Sequence, residues 1–355
     1  MENQKSLVIF RFSAFLFKKG MNDMVNDGQV KATKSPFAMR QNEVKVFDGK
    51  EGYASVNQAV FMIDMGYINE LHFQMLEIIN EFEFITSRQL YQVMQIRGIE
   101  IKDQNKVNDR LENLIKSKVI TRYFFQSDEG KGIYRIYCLD KIGKYLLNSR
   151  SIQCEWVPTD NTKPVFMLKR RLAGNQVLLA YQTKAKYFRN YVIDPVLTAK
   201  RQNIRFKVSG GVVTMDKDER VYDFVFEVVR RNPGWVEKFI EKMRLYAEFY
   251  EYFNTKDAGF DVPPQMVIVG EDDTHLVEIF KEIVKNRITL KDSSIIYTTD
   301  LRQLDDTLEN SIITFDYDEA KGKYVMNVYT SELLAPKEDV EDLGNIEIDT
   351  NAIIE

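Results

Sequence analysis

The pattern of apolar residues indicates three amphipathic helices between residues 70 and 115, because hydrophobic side chains recur there three to four positions apart. Their inward positions are Leu71, Met75, Ile78, Ile79 and Phe82; Leu90, Val93 and Met94; and Val107, Leu111, Leu114 and Ile115. Thr86 and Asp103 precede the second and third helices, where such side chains cap free backbone amides. The second helix is predicted to end near Gly98.

A hairpin is predicted after these helices. Hydrophobic runs at residues 120–125 and 133–139 flank a polar turn at 127–132, and residues 142–147 return to helical spacing. Three helices followed by a hairpin are typical of a winged helix-turn-helix domain, which we assign to residues 66–152. Residues 1–65 show no sustained period and are predicted to form a flexible N-terminal arm with at most one short helix.

A second domain is predicted beyond residues 153–164, which we interpret as a linker because Pro158 and Pro164 flank a polar run. The predicted elements are a helix over 174–191, strands over 205–215 and 221–229 with a turn at 216–219, a helix over 235–253, a strand over 265–270, a helix over 275–285, and strands over 294–298 and 311–315. This order predicts a mixed α/β domain over residues 165–333, followed by an acidic disordered tail over 334–355.

Charge is strongly segregated, although the net charge is only -4. Residues 165–207 contain ten Lys or Arg and a single acid, Asp194. Clustered cations attract nucleic-acid phosphates even in a near-neutral chain, so the predicted partner is double-stranded DNA. The candidate DNA contacts are Gln104, Asn105, Lys106, Asn108, Arg110 and Asn113 on the third helix, Lys131 and Arg135 in the hairpin, and Lys184, Lys186, Arg189, Lys200 and Arg201 beyond the linker.

These side chains suit DNA because Arg, Asn and Gln pair bidentately with base edges, while Lys and Arg bind phosphates. The alternative is that they are ordinary solvated side chains. Asp103, Asp109 and Glu112 on the same helix repel phosphate, and many winged helices dock proteins instead.

The second domain resembles a restriction-endonuclease-like core, in which an acid and a Glu-x-Lys motif hold a metal ion beside the scissile phosphate. Two or three carboxylates must converge on such a cation, and a nearby Lys must orient water. Three motifs stand out along the chain: Ser209-Gly210-Gly211-Val212-Val213, Glu227-Val228-Val229-Arg230 and Lys242-Met243-Arg244-Leu245-Tyr246. In these motifs, and over residues 71–315, the chain resembles the replication-relaxation family of plasmid and conjugative-element proteins.

The sequence departs from the family pattern at the catalytic positions. Ser209 and Gly210 stand where the family has Pro-Asp, and Val229 stands where a nuclease carries Lys. Asp223 cannot substitute for the missing acid, because four residues of strand place it about 13 Å from Glu227. Asp216 is predicted to lie in the turn.

Glu227 and Lys242 are therefore candidate remnants of a damaged nuclease-like site. A purely structural role is at least as well supported, in which Glu227 pairs with Arg230 or Lys242 at the domain surface. No cofactor is predicted, and Mg²⁺ is needed only if the chain is an active nuclease.

Other classes of site are not indicated. Cys138 and Cys154 have no nearby Cys or His at metal-ligand spacing, and His72 and His275 are predicted on helix surfaces. Arg11 interrupts the apolar run at residues 6–17, and no other run reaches the length that spans a bilayer, so no membrane segment is predicted and a cytoplasmic location is expected.

The resulting hypothesis is a DNA-binding accessory protein that has lost nuclease activity. The resemblance alone implies the setting, which is replication or conjugative transfer of a plasmid or similar mobile element, with other replication or transfer proteins as partners. The alternatives are a metal-dependent DNA nuclease or nickase, and a winged-helix transcriptional regulator.

Overall fold

The computed structural model describes residues 18–19, 35–52, 55–305, 307–320 and 322–337. The chain divides into two compact units, which we call the helical unit (Met39–Asn175) and the sheet unit (Met1–Ala38 with Gln176–Glu355). The predicted linker at residues 153–164 lies inside the helical unit, where Asn161 donates a hydrogen bond to the Leu139 carbonyl and accepts one from Trp156. The predicted tail beyond residue 337 lies outside the described residues.

Helices of the helical unit surround a small sheet. The helices are α1 (Val56–Asp64), α2 (Glu70–Phe82), α3 (Ser87–Ile96), α4 (Gln104–Lys116), α5 (Lys141–Ser149) and α6 (Val165–Lys184), the last of which continues into the sheet unit. Strands are numbered along the chain, and β1 (Lys18–Lys19) belongs to the sheet unit; the helical unit contains β2 (Val44–Phe47), β3 (Ile85–Thr86), β4 (Ile120–Ser127) and β5 (Gly130–Leu139). They pair in the order β2-β4-β5-β3.

Helices α2, α3 and α4 lie where the apolar spacing places them. The side chain of Thr86 accepts a hydrogen bond from the Gln89 amide, and the side chain of Asp103 accepts one from the Lys106 amide, so both predicted caps are present. The structure differs from the sequence expectation before residue 65. Strand β2 pairs antiparallel with β4 in a region predicted to be a flexible arm, whereas helix α1 agrees with the one short helix that the prediction allowed. Both elements are short and largely solvent-exposed, which is why no period reveals them.

The sheet unit is built on one large mixed sheet. Its further strands are β6 (Phe188–Val192), β7 (Val196–Ala199), β8 (Ile204–Lys207), β9 (Val212–Lys217), β10 (Arg220–Val228), β11 (Gln265–Gly270), β12 (Ile295–Thr299), β13 (Ile312–Asp318) and β14 (Lys323–Thr330). Its further helices are α7 (Trp235–Glu251), α8 (Thr255–Ala258), α9 (Asp273–Lys285) and α10 (Asp300–Asp305). The strand order is β1-β14-β13-β12-β11-β10-β9-β6.

Strands β10, β11 and β12 run parallel, and α7 and α9 connect them. The other neighbouring strands pair antiparallel. Met243, Tyr246 and Phe249 of α7 are buried in a core shared with Ile268 of β11 and Ile279 of α9. The general expectation of a mixed α/β fold is confirmed.

Two predicted elements of the sheet unit are wrong. The helix predicted over 174–191 ends at Lys184, and β6 follows it. The strand predicted over 205–215 is two strands, of which β8 pairs with β7 in a separate hairpin and β9 joins the large sheet. The break falls at Gly210 and Gly211. A Cβ atom at Gly210 would lie 2.7 Å from the Phe226 carbonyl oxygen, and Gly211 has a φ of +94° that favours glycine.

Among the described residues, no helix combines the length and hydrophobicity needed to cross a membrane.

Candidate nucleic-acid interface and the Glu227 site

Helix α4 carries the first group of predicted DNA contacts. Its apolar face, formed by Val107, Leu111, Leu114 and Ile115, is buried. Asn105, Lys106, Asn108 and Asn113 are exposed on the other side, and Gln104 and Arg110 are partly exposed. Lys106 Nζ lies 3.2 Å from an Asp109 carboxylate oxygen, but both groups are solvated and such pairs are weak. The helix therefore presents amide side chains on a rigidly seated face.

The hairpin formed by β4 and β5 carries the second group. Arg135 Nε lies 2.7 Å from Asp48 Oδ2, and Arg122 Nε lies 3.0 Å from the same oxygen. Arg135 is therefore tied to the sheet by an ion pair that the sequence pattern does not reveal. Lys131 is in strand β5, and its side chain is outside the described part of the structure.

Several cations of the basic stretch at 165–207 bind partners within their own unit. Lys169 pairs with Glu43, and Arg171 pairs with Glu83, both within the helical unit. Lys184 Nζ donates to the Gln303 and Leu304 carbonyl oxygens at 2.8 and 3.1 Å. These partners are distant in sequence, so counting charges along the chain overestimates the cations that face solvent.

The hairpin of β7 and β8 keeps its cations on the surface. Leu197, Ala199, Ile204 and Phe206 are buried in the core of the sheet unit, and the exposed cations of the hairpin are Lys200, Arg201, Arg205 and Lys207. Lys207 lies 2.7 Å from Asp194, and Lys200 lies 3.8 Å from Asp257. Arg201 and Arg205 have no charged or hydrogen-bond partner among the described residues, so they are available to bind an anion.

Two further predicted contacts lie near strand β6. Arg189 is exposed, and its guanidinium lies 3.7 Å from Asp216 of β9. Lys186 is exposed, and its Nζ lies 5.9 Å from the Tyr187 ring centroid.

Glu227 lies in β10 beside helix α7. Its Oε1 lies 2.9 Å from Lys242 Nζ, and its Oε2 accepts a hydrogen bond of 2.8 Å from the Tyr246 hydroxyl. Lys242 and Tyr246 are one helical turn apart, so a single face of α7 supplies both donors. The Ser209 backbone amide also donates to Oε2 at 3.4 Å. Glu227, Lys242 and Tyr246, which belong to the motifs found in the sequence, are therefore in direct contact.

The surroundings differ from the sequence expectation. Glu227 is only 3% exposed, so its pair with Lys242 is buried rather than at the surface. Arg230, the other predicted partner, instead binds Asp300 at 2.6 Å. Ser209 directs its side chain to the backbone, because its Oγ accepts from the Val228 amide at 2.8 Å.

Among the residues that the structure describes, no further carboxylates converge on Glu227. Asp223 accepts a 2.7 Å hydrogen bond from the Thr214 hydroxyl, and burial raises the pKa of Asp223. Asp216 lies in strand β9 rather than in the predicted turn. Within the described residues, no group of three or more His, Cys, Asp or Glu side chains is arranged to hold a metal ion. Cys138 and Cys154 are buried free thiols.

The chain matches no family model, no curated protein and no solved structure. The functional interpretation therefore rests on the geometry of these sites and on the motifs of the sequence.

A buried polar network at the carboxyl ends of β10 and β12 was not predicted. Arg230 and Asp300 pair there, and Ser35 donates a hydrogen bond of 2.6 Å to the second Asp300 oxygen. Arg231 binds Asp272 at 2.7 Å and Glu278 at 3.0 Å. The sequence motif at 227–230 points to Glu227 as its functional residue. No local signal in the sequence indicates that Arg230 binds Asp300, which is 70 positions away.

The two histidines are buried, which corrects their predicted place on helix surfaces. His72 Nδ1 lies 2.8 Å from Asn69 Oδ1 at the start of α2, and His275 Nδ1 accepts a hydrogen bond from the Glu271 amide. Burial, aided by Arg110, lowers the pKa of His72 to about 4. Burial, aided by Arg231 and Arg230, lowers the pKa of His275 to about 3.

We expect each histidine to destabilise its unit as the pH falls. Below about pH 6.5 the unfolded chain binds a proton that the folded state does not bind until about pH 4 or 3, so stability is lost through that range. Between pH 7.5 and 5 the loss is on the order of 2 kcal/mol for each histidine. Urea unfolding at both pH values measures it, with Trp156 reporting on the helical unit and Trp235 on the sheet unit. His72→Gln and His275→Gln should flatten the respective profiles, and identical profiles before and after substitution would contradict the assignment.

Proposed function

We propose that the protein is a DNA-binding accessory protein of a plasmid or similar mobile element, acting in replication or conjugative transfer without nuclease activity. The setting rests on the resemblance of the sequence motifs to the replication-relaxation family. The DNA-binding role rests on the exposed surfaces described above.

The observation that carries the proposal is the exposed face of α4. Helices α2, α3 and α4 are followed by the β4–β5 hairpin, an order typical of a winged helix-turn-helix, in which the third helix enters the major groove. Asn105 and Asn108 project from α4 into solvent, and an asparagine amide can pair bidentately with adenine. The buried opposite face gives this helix the rigidity that base recognition needs.

Phosphate binding is supported by the β7–β8 hairpin. Arg201 and Arg205 are exposed and have no partner among the described residues, whereas Lys169, Arg171 and Lys184 are engaged inside the protein. Each cation that neutralises a phosphate releases a condensed counterion, which makes binding depend on salt. The hairpin therefore replaces the whole basic stretch as the leading candidate for backbone contact.

The absence of cleavage is supported by the Glu227 site. Apart from the β7–β8 hairpin and the short helix α8, the element order from α6 through β6, β9, β10 and α7 to β11 is the one expected of a restriction-endonuclease-like core. Gly210 stands at the position of the first acid of such a site, and both Glu227 oxygens are engaged by Lys242 and Tyr246. A cation held by carboxylate oxygens needs more than this one group.

Fluorescence anisotropy with labelled duplexes tests the proposal. Asn105→Ala/Asn108→Ala should weaken binding to a selected sequence by about 1–3 kcal/mol while sparing random duplex. Arg201→Ala/Arg205→Ala should weaken binding to every duplex and reduce the slope of log K against log salt by about 2. The matched controls are Asn148→Ala on α5 and Lys281→Ala on α9, which replace exposed side chains outside both proposed surfaces.

Two outcomes would contradict the proposal. Failure of the wild-type protein to bind any duplex at low ionic strength would remove the DNA-binding role. Cleavage of supercoiled plasmid with Mg²⁺ or Mn²⁺, abolished by Glu227→Ala, would establish the nuclease alternative instead.

A further inference from the structure

A cavity of about 210 Å³ adjoins the tip of the β7–β8 hairpin in the sheet unit. It is lined by Arg201, Gln202, Tyr252, Phe253, Asn254 and Asp257. Two segments form it, namely the hairpin tip and the residues between α7 and the end of α8. The volume is below the roughly 300–1,000 Å³ of ordinary small-molecule sites and far above that of one water molecule, so it suits a single ring-sized group.

An exposed tyrosine is among the residues that line this cavity. Tyr252 directly follows α7 and is 48% exposed, whereas Tyr246 and Tyr250 of the same helix are buried. Phe253, another lining residue, packs against the core of the sheet unit. A solvent-facing tyrosine is a stacking platform for a nucleobase, since every base has a π face.

Polar groups in the cavity can bind the edge of a base. Gln202 carries an amide with both donors and acceptors, and Arg201 has five N–H donors with no partner among the described residues. Asp257, whose carboxylate lies 3.8 Å from the Lys200 ammonium, also lines the cavity and makes a phosphate group a poor occupant. Arg205 is exposed on the same hairpin and can hold a flanking phosphate.

We propose that this cavity binds one unpaired nucleobase, so that the preferred substrate is duplex DNA joined to a single-stranded segment. The inference rests on the proposed DNA-binding function and specifies its substrate. Bases inside a duplex are stacked and paired, so a base enters such a cavity only from a single strand or after leaving the helix. The cavity, the exposed Tyr252 ring and the partnerless Arg201 all lie at one hairpin tip, which the duplex-contact role alone does not explain.

Paired substrates test this inference. The dissociation constants of the wild-type protein are measured by anisotropy for a blunt duplex and for the same duplex with a ten-nucleotide overhang. We expect the overhang to tighten binding, and Tyr252→Ala to weaken binding to the overhang substrate about 10-fold without changing the blunt duplex. Tyr252→Phe retains the stacking ring and should keep the preference. Tyr317→Ala removes another exposed tyrosine, in β13, and should change neither constant.

The failures of the two proposals are distinguishable. If the wild-type protein binds both substrates equally, or if Tyr252→Ala weakens both equally, the cavity assignment is overturned while DNA binding stands. If neither substrate is bound at low salt, both proposals are overturned. Circular dichroism and thermal unfolding check that each variant is folded. We expect the variants to fold because Tyr252 and Tyr317 are exposed.

Discussion

The Lys169→Met variant is expected to lower the free energy of unfolding of the helical unit by about 3–5 kcal/mol. Lys169 Nζ lies 2.6 Å from Glu43 Oε2, and the two side chains are only 1% and 3% exposed. Lys169 also lies 5.2 Å from the centre of the Phe125 ring. Removing the ammonium leaves the Glu43 carboxylate buried without a cation, and that uncompensated charge causes most of the loss.

The neighbouring arginine provides a matched control. Arg170 belongs to the same basic run but is not buried, so Arg170→Met should change the stability by no more than about 0.5 kcal/mol. The double variant Lys169→Met/Glu43→Gln removes both charges and should recover much of the loss, because a buried ion pair contributes little over a neutral pair of similar volume. Glu43→Gln alone should resemble Lys169→Met.

Urea unfolding followed by the fluorescence of Trp156 measures these differences in the helical unit. Trp235→Phe in the background removes the signal of the sheet unit, because the chain contains two tryptophans. Equal midpoints for Lys169→Met and Arg170→Met would show that the Lys169–Glu43 pair does not stabilise the helical unit.

The basic run at residues 169–171 shows where sequence patterns mislead. A count of cations along the chain treats Lys169 and Arg171 as available for phosphate. Their partners, Glu43 and Glu83, precede them by about ninety residues or more, and a linear pattern holds no information about that pairing. The tertiary structure determines which cations face solvent. Only the structure therefore distinguishes Arg201 and Arg205, which have no partner among the described residues, from the cations that are paired.

Local patterns succeed where the chemistry is local. The helices from Glu70 to Lys116 follow from apolar spacing, and their caps at Thr86 and Asp103 follow from side chains that bind nearby amides. Helix α7 is also recognisable because it is long, and strand β11 because it is a nearly continuous apolar run. Strand β2 is different, because it has four residues and acquires its conformation by pairing with β4.

The candidate sites also differ in how far local sequence patterns predict them. The sequence places Lys242 and Tyr246 on one face of a helix near Glu227, and the structure brings all three into contact. It does not place Arg201 beside Tyr252, because the cavity joins a hairpin to a loop some fifty residues later. The sequence does not show that His72 and His275 are buried, because tertiary packing creates their surroundings.

A comparably large loss is expected in the sheet unit for Arg230→Met, about 3–5 kcal/mol at neutral pH. The side chains of Arg230 and Asp300 are 1% and 0% exposed, and the guanidinium donates to Asp300 at 2.6 Å and to the Val229 carbonyl oxygen at 2.7 Å. Lysine is a poor substitute, since one ammonium cannot reproduce the planar guanidinium that donates to both the Asp300 carboxylate and the Val229 carbonyl oxygen. Arg230→Lys should therefore recover only part of the loss.

The pH dependence separates this electrostatic effect from a packing defect. Burial already raises the pKa of Asp300, although Arg230 and Ser35 oppose it. Without Arg230 the folded-state pKa rises further, so the folded protein must keep a proton that the unfolded chain releases above about pH 3.9. The stability difference between Arg230→Met and wild type should therefore grow as the pH rises from 4.5 to 7, whereas a cavity alone gives a constant difference.

Trp235 fluorescence during urea unfolding, in a Trp156→Phe background, reports on this unit. Arg220→Met is the matched control, because Arg220 is an exposed arginine at the start of β10, the strand that precedes Arg230. Arg230→Met/Asp300→Asn removes both charges and should lose the pH dependence while retaining part of the destabilisation. Since Ser35 donates to the same carboxylate, the network also joins residue 35 to the carboxyl ends of β10 and β12. A pH-independent loss in Arg230→Met would mean that Asp300 is not held as a buried anion by Arg230.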